Sequence, residues 1–183
     1  MNGSSDSAEV FAIDRVITLR RLNPTDLKNF QAYRKDPVVA EFQSWDDMSD
    51  ETALGFLYAV HEDEVFTPGQ WSQLAIADAR SDELLGDMGV FLEADQSEAE
   101  IGITLAQHAQ GRSFGKRAVE MLISVLHDRT QVQRLRIITD ENNIKARALI
   151  ARIQAFSFSH KDLAEDGSTE LYFFAAMADL LEG

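Results

Sequence analysis

The stretch Gln110-Gly111-Arg112-Ser113-Phe114-Gly115-Lys116-Arg117-Ala118 constrains this chain more than any other. It follows a strand-like run, Ala99-Glu100-Ile101-Gly102-Ile103-Thr104-Leu105. It opens a segment with Phe114, Ala118, Leu122, Val125 and Leu126 at helical spacing. A basic loop with two glycines therefore joins a strand to a helix start. There the first backbone N–H groups have no helical partner, and the dipole end is positive. Such amides bind anions, phosphate above all. The glycines admit positive φ and close approach to the backbone. Read alone, the same turn is also an ordinary tight connection. It is neither the dinucleotide fingerprint nor a P-loop, which require other glycine spacings.

The positive charge of this loop stands out because the chain is acidic: 17 Lys and Arg against 31 Asp and Glu, a net charge of −14. That balance argues against nucleic acid as partner, which needs a basic surface. It suits a cationic partner, or simply a solvated surface. There is no cysteine, so disulfides, Cys-ligated metals and Cys nucleophiles are excluded. His61, His108, His127 and His160 lack metal-ligand spacing, so no metal is expected. The start, Met1-Asn2-Gly3-Ser4-Ser5-Asp6, lacks the pattern of a signal peptide, and no apolar run reaches membrane-spanning length. A cytoplasmic protein without membrane contact is the expectation.

Residues 1–14 read as a frayed polar tail, and 15–183 as one domain. Val16 to Leu22 reads as a strand. Asn23-Pro24 starts a helix that Asp36-Pro37 stops, and Ser49 caps another. Val38 to Phe42 fits neither period. Trp71 to Asp78, Leu84 to Leu92 and Glu98 to Leu105 read as a meander. After the loop and its helix come a strand from Arg134 to Thr139 and a helix from Asn142 to Ile153. Ala155 to His160 and Leu171 to Met177 close the chain as strands. The order β α α β β β α β α β β predicts a mixed α/β domain.

That order, with the glycine turn after the fourth strand, resembles the GNAT superfamily of acyl-CoA-dependent N-acyltransferases. The family's phosphate-binding motif is matched by Gln110 to Gly115, with Ser113 where the family carries its first motif Gly. Asp140-Glu141-Asn142-Asn143-Ile144-Lys145-Ala146 resembles the family's second motif, which opens the helix after the fifth strand. Ile17-Thr18-Leu19-Arg20-Arg21-Leu22, Pro24-Thr25-Asp26-Leu27 and Glu100-Ile101-Gly102-Ile103 are similar to the branch that acetylates ribosomal-protein N-termini. The resemblance implies a single mixed sheet of six to seven strands with flanking helices, splayed between strands four and five. It implies acetyl-CoA as co-substrate, an amine acceptor and no metal, and it is compatible with a homodimer. Two departures stand beside it. Gln154-Ala155-Phe156 replaces the family's Gly-Phe, and the second-motif helix carries Ala146 and Ala148 but no Ser or Tyr to protonate the departing thiolate.

On this resemblance the cofactor-binding candidates are Ile103, Thr104 and Leu105 on the strand, Gln110, Gly111, Arg112, Ser113, Phe114, Gly115 and Lys116 in the loop, and Asn143. The strand edge would pair with the amides of pantetheine and supply an oxyanion donor. The catalytic candidates are Glu100 on the fourth strand, Glu165 beside Asp166 in the last turn, and Tyr172 as an acid; His108 or a relaying water is an alternative base. Each also has a structural reading: Glu100 as a salt-bridge partner, Tyr172 as sheet packing, Asn143 as a helix cap. Trp45-Asp46-Asp47 lines the acceptor cleft or is an ordinary loop. The acceptor is open between a protein N-terminus and a small or cationic amine. A CoA-binding sensor without turnover is the alternative function.

Overall fold

The computed structural model describes residues 8–43, 45 and 47–182. Residues 1–7 of the expected tail and Asp46 lie outside the described residues. Eight strands among the described residues form one mixed sheet in the order β1-β2-β3-β4-β5-β6-β8-β7. They are β1 (Val10–Ile13), β2 (Ile17–Arg21), β3 (Trp71–Asp78), β4 (Leu84–Leu92), β5 (Glu98–Leu105), β6 (Arg134–Asp140), β7 (Ser157–Leu163) and β8 (Thr169–Ala176). The helices are α1 (Leu27–Arg34), α2 (Pro37–Ala40), α3 (Asp50–Glu62), α4 (Phe114–Arg129), α5 (Ile144–Ala151) and α6 (Met177–Glu182).

The expected six to seven strands become eight because β1 is a strand and not tail. Its apolar residues pair antiparallel with β2, and Phe11 packs edge-on against Phe66, ring centroids 6.0 Å apart. Three salt bridges hold its flanks: Glu9 reaches Arg21 and Arg129, and Asp14 reaches Arg117.

Antiparallel pairing joins β1 through β5, and β6 through β8 to β7. The single parallel contact in that order is β5 with β6, registered over Glu98↔Arg134, Ala99↔Leu135 and Glu100↔Arg136. Parallel neighbours need a crossover, and α4 supplies it. Phe114, Ala118, Val119, Leu122, Ile123, Val125 and Leu126 of α4 are buried at helical spacing. Each of these side chains except Ala118 contributes roughly 1.5–3 kcal/mol on leaving water.

The first helical segment is anchored by charge. Asn23 and Asp26 form a capping box over a 3-10 turn that runs into α1. Asp26 also accepts two hydrogen bonds from the buried Arg20 guanidinium, at 2.8 and 2.9 Å, tying β2 to the helix start. Pro37 ends α1 as expected but also begins the one-turn α2, because Asp36 caps it through Val38 N–H at 2.9 Å. A proline lacking N–H is suited to that first position.

Candidate functional site

Where β5 runs past its last partner on β6, a cleft of about 780 Å³ opens. One wall is Ile103, Thr104 and Leu105. The second is the loop with Gln110, Gly111, Ser113, Phe114, Gly115 and Lys116, and the third is Asn142 to Ala146 with Ala148, Leu149 and Arg152 of α5. The fourth wall is α2 with the residues after it, Val38, Val39, Glu41, Phe42 and Gln43. The sequence left that last segment unassigned. Its only signal was an apolar Val-Val pair directly after a helix-stopping proline.

The loop has the geometry an anion site requires. Gly111 and Ser113 both lie in the left-handed region, at φ 73° and 64°. Ser113 is the N-cap of α4, yet its side chain makes no cap hydrogen bond. The α4 ladder starts with Arg117 N–H donating to the Ser113 carbonyl at 3.1 Å. The amides of Phe114, Gly115 and Lys116 therefore precede the ladder, at the positive end of the dipole. Gly115 is needed for packing: a Cβ there would lie 3.2 Å from Leu149 Cδ2 and 3.6 Å from Leu105 Cδ1. α4 and α5 meet across it.

Three cationic side chains line the cleft among the described residues, Lys116, Lys145 and Arg152, against one carboxylate, Glu41. In a chain of net charge −14 this is a local reversal of sign. Lys145 and Arg152 escaped sequence reasoning because they sit on α5, beyond the loop. Arg152 donates to Ser113 Oγ at 3.1 Å, and Lys145 donates to Gln110 Oε1 at 2.8 Å. Gln110 in turn donates to the Leu105 carbonyl at 3.0 Å, so it braces the strand end against α5. Arg112 stands apart from the lining residues, its guanidinium 4.7 Å from the Phe114 ring centroid. Asn143 caps α5: its Oδ1 accepts from Ala146 N–H at 3.0 Å, which leaves its amide nitrogen to donate outward.

The three catalytic candidates all lie outside the cleft lining. Glu100 accepts from Arg136 Nη2 at 2.8 Å and Nε at 3.1 Å, on the opposite face of the sheet from Ile103. Glu165 is exposed in the β7–β8 turn. Tyr172 donates to Glu170 Oε2 at 3.1 Å, and its ring stacks on His160 at 4.5 Å. Burial pushes the Tyr172 phenol up, and so do its bond to Glu170 and the charges of Asp162 and Glu100. It is therefore protonated at neutral pH. Tyr172 faces the same side of the sheet as Glu100, because Tyr172 pairs with Ile138, two residues beyond Arg136. His108 is exposed in the turn before the loop. Among the described residues no group of three or more His, Asp or Glu side chains is placed to hold a metal ion, and no helix is long and apolar enough to cross a membrane.

Residues 17–155 match a family model described as an acetyltransferase (GNAT) domain. Among curated proteins nothing matches the chain. Solved structures do. A GNAT-family acetyltransferase from Bacillus anthracis superposes with a TM-score of 0.78 at 11% identity, covering 92% of this chain and 99% of that one. A ribosomal L7/L12 alpha-N-protein acetyltransferase gives 0.78 at 16% identity, covering 96% and 98%. Spermidine N-acetyltransferase from Vibrio cholerae, in complex with CoA and spermine, gives 0.77 at 16% identity, covering 92% and 98%. At these identities the structural likeness speaks to the fold.

Proposed function

The chain belongs to the GNAT acetyltransferase family, and on that premise we propose that it transfers an acetyl group from acetyl-CoA to a primary amine by direct attack within a ternary complex. The observation that carries this reading is the cleft. It joins unladdered α4 amides, three cations and a strand edge beyond its last partner. That combination fits a polyphosphate ester with an amide-bearing arm.

The amides of Phe114, Gly115 and Lys116, with Lys116, Lys145 and Arg152, would hold the pyrophosphate. Asn143 would donate its amide N–H to the arm. The short β5–β6 register supports the splay the family resemblance implies, and Ile103 to Leu105 would pair there with the arm and offer an N–H to the developing oxyanion. One such donor is worth about 10²–10³ in rate. Acetyl-CoA supplies an acyl group already activated as a thioester. In the transfer a C–N bond forms and the C–S bond breaks; the amine gives up one proton and the thiolate takes one. Tyr172, kept protonated by its surroundings, is the assigned donor. Glu100 is bound to Arg136, so a water-relayed base is the better supported arrangement. Two structural relatives, a ribosomal alpha-N-protein acetyltransferase and a spermidine N-acetyltransferase, support an amine here, and the charge of −14 favours a cationic one.

A second reading has its own observation. Ala146 and Ala148, which line the cleft on α5, offer no hydroxyl for the leaving thiolate. On that reading the protein binds CoA without turnover. Thiol release from acetyl-CoA, with mass detection of acetylated product over a panel of amines, decides between them. Release with product formation supports transfer. Tight CoA binding without release across the panel supports the binding module. Absence of CoA binding overturns both.

A further inference from the structure

β1 and β7 are the two edges of the sheet among the described residues. An edge strand leaves a row of N–H and C=O groups without partners, and charged side chains within the strand are one device that keeps other strands off. β7 carries Lys161 and Asp162 within its run. β1 carries no charge in its run Val10-Phe11-Ala12-Ile13. Val10 keeps 48% of its surface and Ile13 64%. Two large apolar side chains therefore stand in water on an uncharged edge strand of four residues.

The bonds to β2 decide which backbone groups of β1 face outward. The Glu9 carbonyl accepts from Arg21 N–H at 2.9 Å, and Asp14 N–H donates to the Ile17 carbonyl at 3.0 Å. Along an antiparallel strand, residues alternate between bonding the partner strand and turning away from it. Val10 follows Glu9 and lies opposite Arg20; Ile13 precedes Asp14 and lies opposite Thr18. Both therefore turn their N–H and C=O out of the sheet. The register shifts between Val10 and Ala12, which inserts Phe11 as an extra residue. Because of that insertion Val10 and Ile13 share one side of the sheet, that of Arg20 and Thr18.

The strand is thereby its own complement. A two-fold axis between Phe11 and Ala12 sets Ile13 of a second copy opposite Val10, and Val10 of that copy opposite Ile13. Each facing pair exchanges N–H···O=C bonds in both directions, and the four apolar side chains meet on one side. Charge permits the approach, although each chain carries −14. Arg21 and Arg129 hold Glu9 beside Val10, and Arg117 holds Asp14 beside Ile13. Pairing brings the Val10 end of one copy to the Ile13 end of the other. Each end then gathers Arg21, Arg129 and Arg117 around two carboxylates, Glu9 and Asp14.

We propose that β1 is the docking edge for a second copy of this chain, paired antiparallel with its own counterpart so that one sheet runs through both copies. The interface is isologous, the same four residues on each side. So short a contact buries less than a standard interface, which makes the dimer a weak one that forms in the micromolar range and above. β2, β3 and β4 separate the edge from β5 and its cleft, and the pairing does not depend on the transfer reading.

Sedimentation velocity over a concentration series, with amide exchange at its two extremes, tests this. The unaltered protein should pass from monomer to dimer as concentration rises. The amides of Val10 and Ile13 should exchange about tenfold more slowly in the concentrated sample, while those of β7 keep their rates. Ile13→Lys puts a charge on the edge at a side chain already in water, and Val10→Pro removes a donor that β2 does not use. Each should melt like the unaltered protein and stay monomeric across the series; a variant that fails to melt cooperatively leaves the other to decide. A monomer at every concentration, a dimer retained by a variant of unaltered melting, or protection on β7 in place of β1 would overturn the pairing. Slow exchange of Val10 and Ile13 in the monomer would put a segment of the same chain on the edge, and would overturn it as well.

Discussion

Tyr33 donates its phenolic hydrogen to the carboxylate of Asp87, 54 residues further along the chain, and both side chains are buried. Arg34 approaches the same oxygen at 3.3 Å while its guanidinium packs 4.4 Å from the Phe30 ring centroid and 4.2 Å from that of Trp45. Trp45 closes the circuit by donating its indole N–H to the Arg34 carbonyl at 3.3 Å. The pair thus fixes α1 to β4 at the root of the segment whose residues 38–43 wall the cleft. Arg34 Nε has no partner among the described residues. The cluster is therefore already strained in hydrogen bonding, and loss of one more donor should be felt. Tyr33→Phe should destabilise the protein by about 1–3 kcal/mol, the cost of a buried acceptor losing its donor. Urea denaturation measures it, and a change below about 0.5 kcal/mol would contradict the assignment.

The same cluster makes a pH prediction. Burial pushes the Asp87 carboxyl up, outweighing the pulls of Arg34, Tyr33 and Gln73. A folded pKa above the unfolded one contributes stability that is complete below the unfolded value and lost as pH rises through the folded one. Stability should therefore decline as pH rises from the ordinary carboxylate range through the raised Asp87 value. Asp87→Asn should flatten that part of the curve. A slope identical in both proteins across the window would place the titration elsewhere.

Ser113 occupies the position where the family motif has glycine, and the structure gives the reason glycine is favoured there: φ is 64°. A residue with a Cβ pays roughly 1–2 kcal/mol in that region. The serine is not idle, since its Oγ holds Arg152 at 3.1 Å. Ser113→Gly should raise the unfolding free energy by about 0.5–1 kcal/mol after the unfolded-state entropy of glycine is counted. It should also release Arg152 and weaken CoA binding by a few-fold, more at low salt than at high. Calorimetry and equilibrium binding at two ionic strengths check both halves. Unchanged binding at both would leave Arg152 without a role.

Much of this arrangement was legible because it is local. The strand–loop–helix order around Gln110, the Ser49 cap and the Asn143 cap depend on residues within one turn of each other. What escaped depends on distance. β1 is four residues long, and its strand character comes from β2 and from Phe66, neither visible from Val10 to Ile13. β7 begins at Ser157 and not Ala155, because its register is set by β8 and not by its own fully exposed side chains. Nothing local between Gly86 and Met88 singles out Asp87, and only α1 folded over it makes it a buried partner. The catalytic candidates show the same limit. Glu100 read as a base or a bridge partner, and Arg136 on a strand 36 residues away makes it a bridge partner.

The edge formed by β1 should respond to acid. The bond from Arg129 holds the Glu9 carboxyl below its usual range, with Arg21 assisting against the opposing effect of burial. For Asp14 burial pushes upward, but hydrogen bonds from Ile17 N–H, Val16 N–H and Arg117 outweigh it, and its carboxyl is also lowered. Depressed folded values contribute stability that is present above the unfolded pKa and lost as pH falls through the folded one. Both groups are largely solvated, so the effect is local fraying and not global unfolding. Amide exchange of Phe11 to Ile13 should accelerate below about pH 4 relative to β3 and β4. Asp14→Asn should show the faster exchange already at neutral pH. Parallel protection of β1 and β4 down to the global acid transition would refute the link.

Tyr172 carries the proton in the proposed transfer, and its consequences separate it from a packing residue. Its phenol is pushed up by burial, by the bond to Glu170 and by nearby carboxylates, so it remains a donor through neutral pH. A positioned general acid contributes about 10²–10⁴ in rate. Tyr172→Phe keeps the ring that stacks on His160 at 4.5 Å and removes only the hydroxyl. The variant should therefore fold as before, bind acetyl-CoA with unchanged Kd, and lose about 10²-fold or more in kcat. Its kcat should also lose the alkaline fall that ionisation of the phenol imposes. Acceptors with different amine basicity should be affected alike, because the proton goes to the thiolate and not to the amine. Steady-state kinetics from about pH 7 to above pH 11 provide the test. A kcat within twofold of the unaltered protein, with the alkaline limb intact, would assign the proton to water and leave Tyr172 as part of the sheet.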